Sequence, residues 1–379
     1  MEAQKMENEY FGDLALIGMK GTEKFVKRVD EYLRQWRKSD DTYIIDVDCP
    51  RFGTGEGKGI IKQSVRGKDL FIYVDCFNYG VQYKMFGQMN RMSPDDHFQD
   101  LKRIIGACER KTRRISVVMP MLYEGRQHRR AARESLDCAT ALQELESMGV
   151  TDLITFDAHD SRVQNATPAN GFENVRTTYQ MLKSLVREFP DISFDPDKIM
   201  FVSPDEGGMA RTIYYSSVLG VEVGTFYKRR NYSVIIDGRN PIEAHEFLGH
   251  SVEGRDIIVV DDMISSGDSM LDITQKLKEL GAKRIFMFCS FGLFTNGLEK
   301  FDKAYEDGLF DRIFTTNLNY RPAEVIARPW YTEVSLCKYV AYIVDSINRN
   351  HTISDLLDPV TRIHALMDRV KLQQEGDEE

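Results

Sequence analysis

No two cysteines in this chain stand as a C-x-x-C pair. Six are scattered over 379 residues, at Cys49, Cys76, Cys108, Cys138, Cys289 and Cys337. That spacing argues against a zinc site and against a disulfide framework, and it suits a reducing cytoplasm. No apolar run reaches the roughly 20 residues that a membrane helix needs. Met1 to Tyr10 is acidic and polar, unlike a signal peptide. Net charge is −9, so a broad nucleic-acid footprint is not expected. No Ser-His-Asp or Cys-His arrangement points to covalent catalysis, and no low-complexity segment divides the chain. The remainder is 42% hydrophobic and 29% charged, ordinary for a globular protein. The length suggests two domains, at roughly 150 residues each.

The most informative stretch is Asp256 to Ser269. Ile257 to Val260 is a short β-branched run of the kind that forms a buried parallel strand. Asp261 and Asp262 follow at its carboxyl end. A small-residue loop comes next, Ser265-Ser266-Gly267-Asp268-Ser269. Met270 to Leu280 then has helical spacing, with Gly281 as its C-cap. In open α/β sheets, ligands bind at the carboxyl ends of strands. Helix-start N–H groups attract phosphate, and a Ser/Gly loop lets it approach. A carboxylate pair beside that phosphate suits sugar hydroxyls, or a divalent cation held through water. The stretch reads as a sugar-phosphate site, with a plain strand-turn-helix loop as the alternative.

Strands and helices alternate along the rest of the chain. Leu14 to Gly18 precedes a helix, Glu23 to Lys38, and Tyr43 to Asp46 reads as a strand. A glycine-rich turn spans Arg51 to Gly59. It fails the Walker pattern, because Phe52 stands where the first Gly belongs and Gly59 replaces the Ser or Thr after the Lys. On residues alone it reads as a flexible hairpin. Further strands are expected at Leu70–Val74, Ile115–Met119 and Leu153–Phe156, with helices at Asp96–Cys108 and Ser135–Met148. Arg126-Gln127-His128 follows the second of these strands. Asp157-Ala158-His159-Asp160 follows the third. The alternation then restarts, with a helix at Tyr179–Glu188 and a strand at Ile199–Val202 that delivers Ser203-Pro204-Asp205-Glu206-Gly207-Gly208. Met209–Leu219 is helical. Val221–Tyr227 is a strand ending in Lys228-Arg229-Arg230, followed by a polar, mobile stretch from Asn231 to Gly249. Arg284–Phe291 and Ile313–Thr315 are strands, Thr332–Asn348 a helix, and Gln373–Glu379 a disordered end. This alternation predicts parallel sheets with right-handed crossovers, in two α/β units joined around residues 160–178.

Taken in order, RQH, DAHD, SPDEGG, KRR and VVDDMISSGDS resemble the ribose-phosphate pyrophosphokinases, the synthetases of phosphoribosyl pyrophosphate. The resemblance runs from about Tyr43 to Leu357 and includes SVRG at Ser64–Gly67. It implies two similar phosphoribosyltransferase-like domains, each a mostly parallel sheet flanked by helices. The first, on the ATP side, is 1–165, completed by a helix near 330–357. The second, on the ribose 5-phosphate side, is 166–329, and 358–379 is a tail. The resemblance implies ATP and ribose 5-phosphate as partners, Mg²⁺ as cofactor and a homo-oligomer, dimer or hexamer. By position, Arg126, Gln127 and His128 fall at the ATP contacts. Phe52 and Glu56 match an adenine-side loop that a neighbouring subunit supplies. His159 and Asp205 match metal positions. Asp261, Asp262, Ser265, Ser266, Gly267 and Ser269 match the ribose 5-phosphate site, and Lys228 and Arg230 a catalytic pair.

Alternate residues of an extended chain share a side, which aims Lys228 and Arg230 together and turns Arg229 away. Four places depart from the family. Thr54 stands at or near a usual Asp, His128 replaces an acidic residue, Ser265 replaces Asp, and Asp268 replaces Gly or Ala. A phosphoribosyltransferase and a non-catalytic regulatory homologue are the competing readings.

Overall fold

The computed structural model of the chain describes residues 10–230 and 242–376, with side chains at 10–227 and 246–372. It divides into two compact units. The first comprises residues 1–177, 317–322 and 335–358; the second comprises 178–316, 323–334 and 359–379.

The first unit is built on a five-stranded, fully parallel sheet. Its strands are β1 (Asp13–Gly18), β4 (Lys68–Tyr73), β7 (Arg114–Val118), β8 (Asp152–Phe156) and β9 (Gly171–Val175), in that spatial order. Between β1 and β4 the chain makes a short antiparallel hairpin, β2 (Val47–Asp48) with β3 (Ile60–Ile61). A second hairpin, β5 (Gln82–Met85) with β6 (Gln88–Arg91), follows β4. Helix α1 (Glu23–Arg37) buries Val26, Val29 and Leu33 at helical spacing. Helix α2 (Pro94–Ala107) starts with proline at its first turn and a reciprocal cap between Ser93 and Asp96. Helix α3 (Asp137–Ser147) precedes β8. The core runs through Ile17, Leu70, Ile72, Val117, Leu101 and Ile154-flanking positions such as Leu153.

Tyr43–Asp46, expected as a strand, makes a single parallel bridge, Leu16 to Ile44, with two hydrogen bonds. The glycine-rich turn is a hairpin, as read, but a braced one. The Phe52 N–H donates to the Glu56 carbonyl at 2.7 Å, and the Phe86 N–H, from the tip of the β5–β6 hairpin, donates to the Gly53 carbonyl at 2.8 Å. Arg51 grips the Asp100 carboxylate with both terminal nitrogens, at 2.6 and 2.9 Å.

The second unit holds a seven-stranded sheet in the order β12 (Ile242–Leu248), β11 (Glu222–Arg230), β10 (Ile199–Ser203), β13 (Asp256–Ile264), β14 (Arg284–Gly292), β15 (Arg312–Thr316) and β16 (Tyr331–Val334). All pairings are parallel except β11 with β12. Its helices include α4 (Thr178–Glu188), α5 (Met209–Leu219), α6 (Asp268–Glu279) and α7 (Glu299–Glu306). Phe294, Phe301, Phe310 and Trp330 form an aromatic cluster in its core.

Three readings change here. The strand read as ending at Tyr227 continues to Arg230, because a second strand pairs with it. That partner, β12, occupies the last part of the stretch expected to be mobile, and residues 231–241 lie outside the described residues. Thr332–Asn348 is not one helix: β16 takes its start, and helix α8 (Cys337–Asn348) its remainder. The segment read as a tail carries helix α9 (Val360–Gly376), which lies against α4 and α5 and buries Ile363, Leu366, Met367 and Val370. The extreme residues 377–379 are outside the described residues.

Candidate active site

The carboxyl end of β13 carries the densest chemistry in the second unit. Ile257 to Val260 are buried among neighbouring strands, and pairing with β14 continues past them, so Asp261 and Asp262 stand within the strand. Asp262 is 3% exposed. Its N–H donates to Asp261 Oδ1 at 2.8 Å. Burial pushes the Asp261 carboxyl well above the usual carboxylate range. The negative charge of Asp262 and a hydrogen bond with it act in the same direction. Arg211, in the first turn of α5, opposes that shift from 3.7 Å of Asp261 Oδ1 and 3.8 Å of Asp262 Oδ1. The linear sequence gave no signal for Arg211, because only the fold brings α5 beside β13.

After β13 the chain turns through Ser265, Ser266 and Gly267 into α6. Gly267 has φ +84°, and a Cβ there would lie 2.0 Å from the Phe301 ring. Handedness and space each require glycine. No side chain caps this helix. First-turn N–H groups lack intrahelical partners and carry the positive end of the helix dipole. The Thr295 N–H holds the Ser265 carbonyl at 3.0 Å and fixes the loop. Asp268, the first helical residue, looked misplaced beside a phosphate. Its Oδ1 lies 2.5 Å from Lys300 Nζ on α7. That contact, followed by one from Ser266, holds its carboxyl below the ordinary range.

Asp205 ends β10. Its Oδ1 accepts from the N–H groups of Gly207 at 2.9 Å and Gly208 at 3.3 Å, closing a 3₁₀ turn. Lys228, Arg229 and Arg230 lie in β11, opposite His245, Ala244 and Ile242 of β12. The register shifts between Arg229 and Arg230, where Glu243 is passed over. The side-chain directions expected for these three residues fall outside the described residues.

In the first unit, the loop after β7 and the loop after β8 bring His128 and His159 together, with ring centroids 5.5 Å apart. His128 Nε2 is 3.4 Å from Asp160 Oδ2. Its Nδ1 is buried with no hydrogen-bond partner, a polar atom that a ligand group can satisfy. The Arg162 side chain holds the Asp160 carboxyl far below its usual range. Gln127 Nε2 donates to the Ser135 carbonyl at 2.8 Å. Arg126 is exposed, and Phe52 is 56% exposed at its turn. Glu56 Oε2 accepts from the Thr54 hydroxyl at 2.9 Å. A cavity of about 660 Å³ beside α1, reached by Lys20, Asp46 and Asp48, contains none of these residues.

Among the described residues no group of three or more His, Cys, Asp and Glu converges on a metal position. A cage made wholly of protein is therefore not on offer there. Mg²⁺ does not require one, since it is commonly held by one or two carboxylates, water and substrate phosphates. The half-buried Asp205 carboxylate fits that mode. His159, a nitrogen donor, fits it through a water.

The family profile described as the N-terminal domain of ribose phosphate pyrophosphokinase matches residues 14–149, and that of the phosphoribosyl transferase domain matches residues 179–323. A ribose-phosphate pyrophosphokinase from Vibrio cholerae is 27% identical over 330 residues, covering 85% of this chain and 95% of its own. One from Staphylococcus aureus is 26% identical over 361 residues, covering 93% and 100%. The crystal structure of phosphoribosylpyrophosphate synthetase from Mycobacterium smegmatis matches with a TM-score of 0.73 at 18% identity. It covers 89% of this chain and 99% of that chain, a likeness of fold.

Proposed function

The chain belongs to the ribose-phosphate pyrophosphokinase family, and from that premise we infer that it transfers the pyrophosphoryl group of ATP to C1 of ribose 5-phosphate. The C1 hydroxyl oxygen gives up its proton to solvent and forms a bond to the β-phosphorus of ATP, the bond from that phosphorus to the α,β-bridging oxygen breaks, and AMP leaves. The observation that carries this reading is the end of β13, where a carboxylate pair precedes a glycine turn and an uncapped helix start. Asp261 and Asp262 accept the sugar hydroxyls. Ser265, Ser266, Gly267 and Ser269 receive the 5-phosphate through backbone N–H and hydroxyl groups.

Arg126 offers a planar fork to the ATP phosphates, beside Gln127 and His128. Phe52 and Glu56 receive adenine from a neighbouring copy of the chain, which makes the working enzyme a homo-oligomer, a dimer or a hexamer. Lys228 and Arg230 meet the negative charge that builds on the transferring group. Such chemistry depends on positioning and fixed cations more than on covalent help. Asp205, in the second unit, would hold Mg²⁺, and His159, in the first, is a second candidate that would act through water. When bound, that ion neutralises charge on the phosphate oxygens.

Among the described residues no helix is long and apolar enough to cross a membrane.

The test is to mix the protein with Mg²⁺, ATP and ribose 5-phosphate and follow the phosphorus resonances. AMP and phosphoribosyl pyrophosphate should rise together in equal amounts, and only with divalent metal. ADP as the nucleotide product would refute the assignment. Binding of both substrates without turnover would favour the regulatory homologue.

A further inference from the structure

Asp261 and Asp262 are consecutive carboxylates in a largely buried place. Like charges so close repel, and low local polarity strengthens the repulsion. Such a pair stays open to sugar hydroxyls only if something offsets that repulsion. Among the described residues, two groups on neighbouring elements bear on it. From β14 comes Cys289, which is paired in register with Asp261, and burial pushes its thiol well above the ordinary range, so it brings no charge. From α5 comes Arg211, with one guanidinium nitrogen 3.7 Å from one carboxylate and 3.8 Å from the other. Its side chain is largely buried. One cation placed evenly between two anions does not select either of them; it acts on the pair.

We propose that Arg211 is a positioning residue for the sugar substrate: it spans the two carboxylates, keeps both as hydroxyl acceptors, and through them sets the affinity for ribose 5-phosphate. An ionised carboxylate only accepts hydrogen bonds, whereas a protonated one spends an oxygen as a donor. A vicinal diol brings two donors and is best met by two acceptors. Arg211 touches neither the transferring phosphoryl group nor ATP in this account. Its loss should therefore appear in sugar affinity and leave nucleotide affinity in place. The proposal rests on the reading of Asp261 and Asp262 as the sugar-binding pair.

The experiment is calorimetric titration of ribose 5-phosphate, and separately of ATP with Mg²⁺, into the full-length protein and its variants. Arg211→Met should weaken ribose 5-phosphate on the order of tenfold or more and leave ATP within about twofold. Arg211→Lys, which keeps the charge, should recover most of the loss, and Arg211→Gln, which keeps polarity without charge, should not. These two variants carry the comparison if Arg211→Met does not fold. In an Asp262→Asn background, where one negative charge is already gone, Arg211→Met should cost much less than in the wild type, the non-additivity of residues that act as a unit. Equal ribose 5-phosphate affinity in wild type and Arg211→Gln would overturn the proposal. So would a Lys variant as weak as the Gln variant, or strict additivity in the double variant. Absence of ribose 5-phosphate binding to the wild type would instead count against the functional reading beneath it.

Discussion

Asp268 puts a negative charge beside the proposed phosphate site, and its exposed partner Lys300 lies against that charge. An exposed pair contributes little to stability, so its effect belongs to binding. Lys300→Met should weaken ribose 5-phosphate a few-fold with little change in melting temperature. Asp268→Asn in the same background should restore the affinity. A Lys300 variant with unaltered affinity would show that the carboxylate never meets the phosphate. Lys228 and Arg230 make the sharper case. As groups acting on transition-state charge, each should cost on the order of 10²–10³ in turnover when replaced by Ala, with substrate affinity changing far less. Arg229→Ala should be mild. Comparable losses at all three positions would sink the alternating-face argument. At this scale the sequence showed Asp261, Asp262, the Ser/Gly loop and the His-bearing strand ends, because each sits in a local pattern. Arg211 and Lys300 were not legible, since their partners are 50 and 32 residues away and only the fold brings them close.

Elements built on short continuous apolar runs were legible, including β4, β7, β8, β10, β13 and β14. The hairpin β5–β6, with Gln-Tyr-Lys-Met against Gln-Met-Asn-Arg, shows no such run and is held by its turn and by contact with the Gly53 carbonyl. Strand β12, Ile-Glu-Ala-His-Glu-Phe-Leu, has the composition of a helix and becomes a strand because β11 offers an edge. Helix α9 was readable in principle, as its buried residues 363, 366, 367 and 370 keep helical spacing.

Two predictions belong to elements. Gly267→Ala places a methyl group inside the Phe301 ring and a side chain at positive φ. It should destabilise the second unit by about 1–3 kcal/mol, visible as an earlier melting transition. A variant that melts with the wild type would contradict the tight turn. The other concerns Asp75, whose carboxylate accepts the Tyr320 N–H at 2.5 Å and the Phe77 N–H at 3.0 Å, and so fastens segment 317–322 within the first unit. Burial raises its pKa to about 6. A carboxyl raised above its unfolded value contributes stability that is fully present below that unfolded value, near 4. The contribution is lost as pH rises through about 6. Asp75→Asn should therefore remove a decline in first-unit stability between pH 4 and 6, on the order of 2 kcal/mol. Amide exchange of β4 and β7 at the two pH values measures it, and identical pH dependence in both proteins would contradict it.

At the scale of the molecule, the chain passes repeatedly between its two units: residues 317–322, between β15 and β16 of the second sheet, and 335–358, after β16, belong with the first. Alternating strands and helices revealed two α/β units, but such returns leave no mark on local periodicity. If Phe52 and Glu56 serve a neighbouring copy, a Phe52→Ala/Glu56→Ala chain and a Lys228→Ala chain, each nearly inactive, should regain activity when mixed and reassembled. Mixtures no more active than their parts would place the adenine contacts within one chain. The central claim is that a pyrophosphoryl group moves as a unit from ATP to the sugar. ATP carrying phosphorus-32 only at the β position tests it directly. The label should appear entirely in the sugar product and leave AMP unlabelled. Label retained in the nucleotide product would contradict the account.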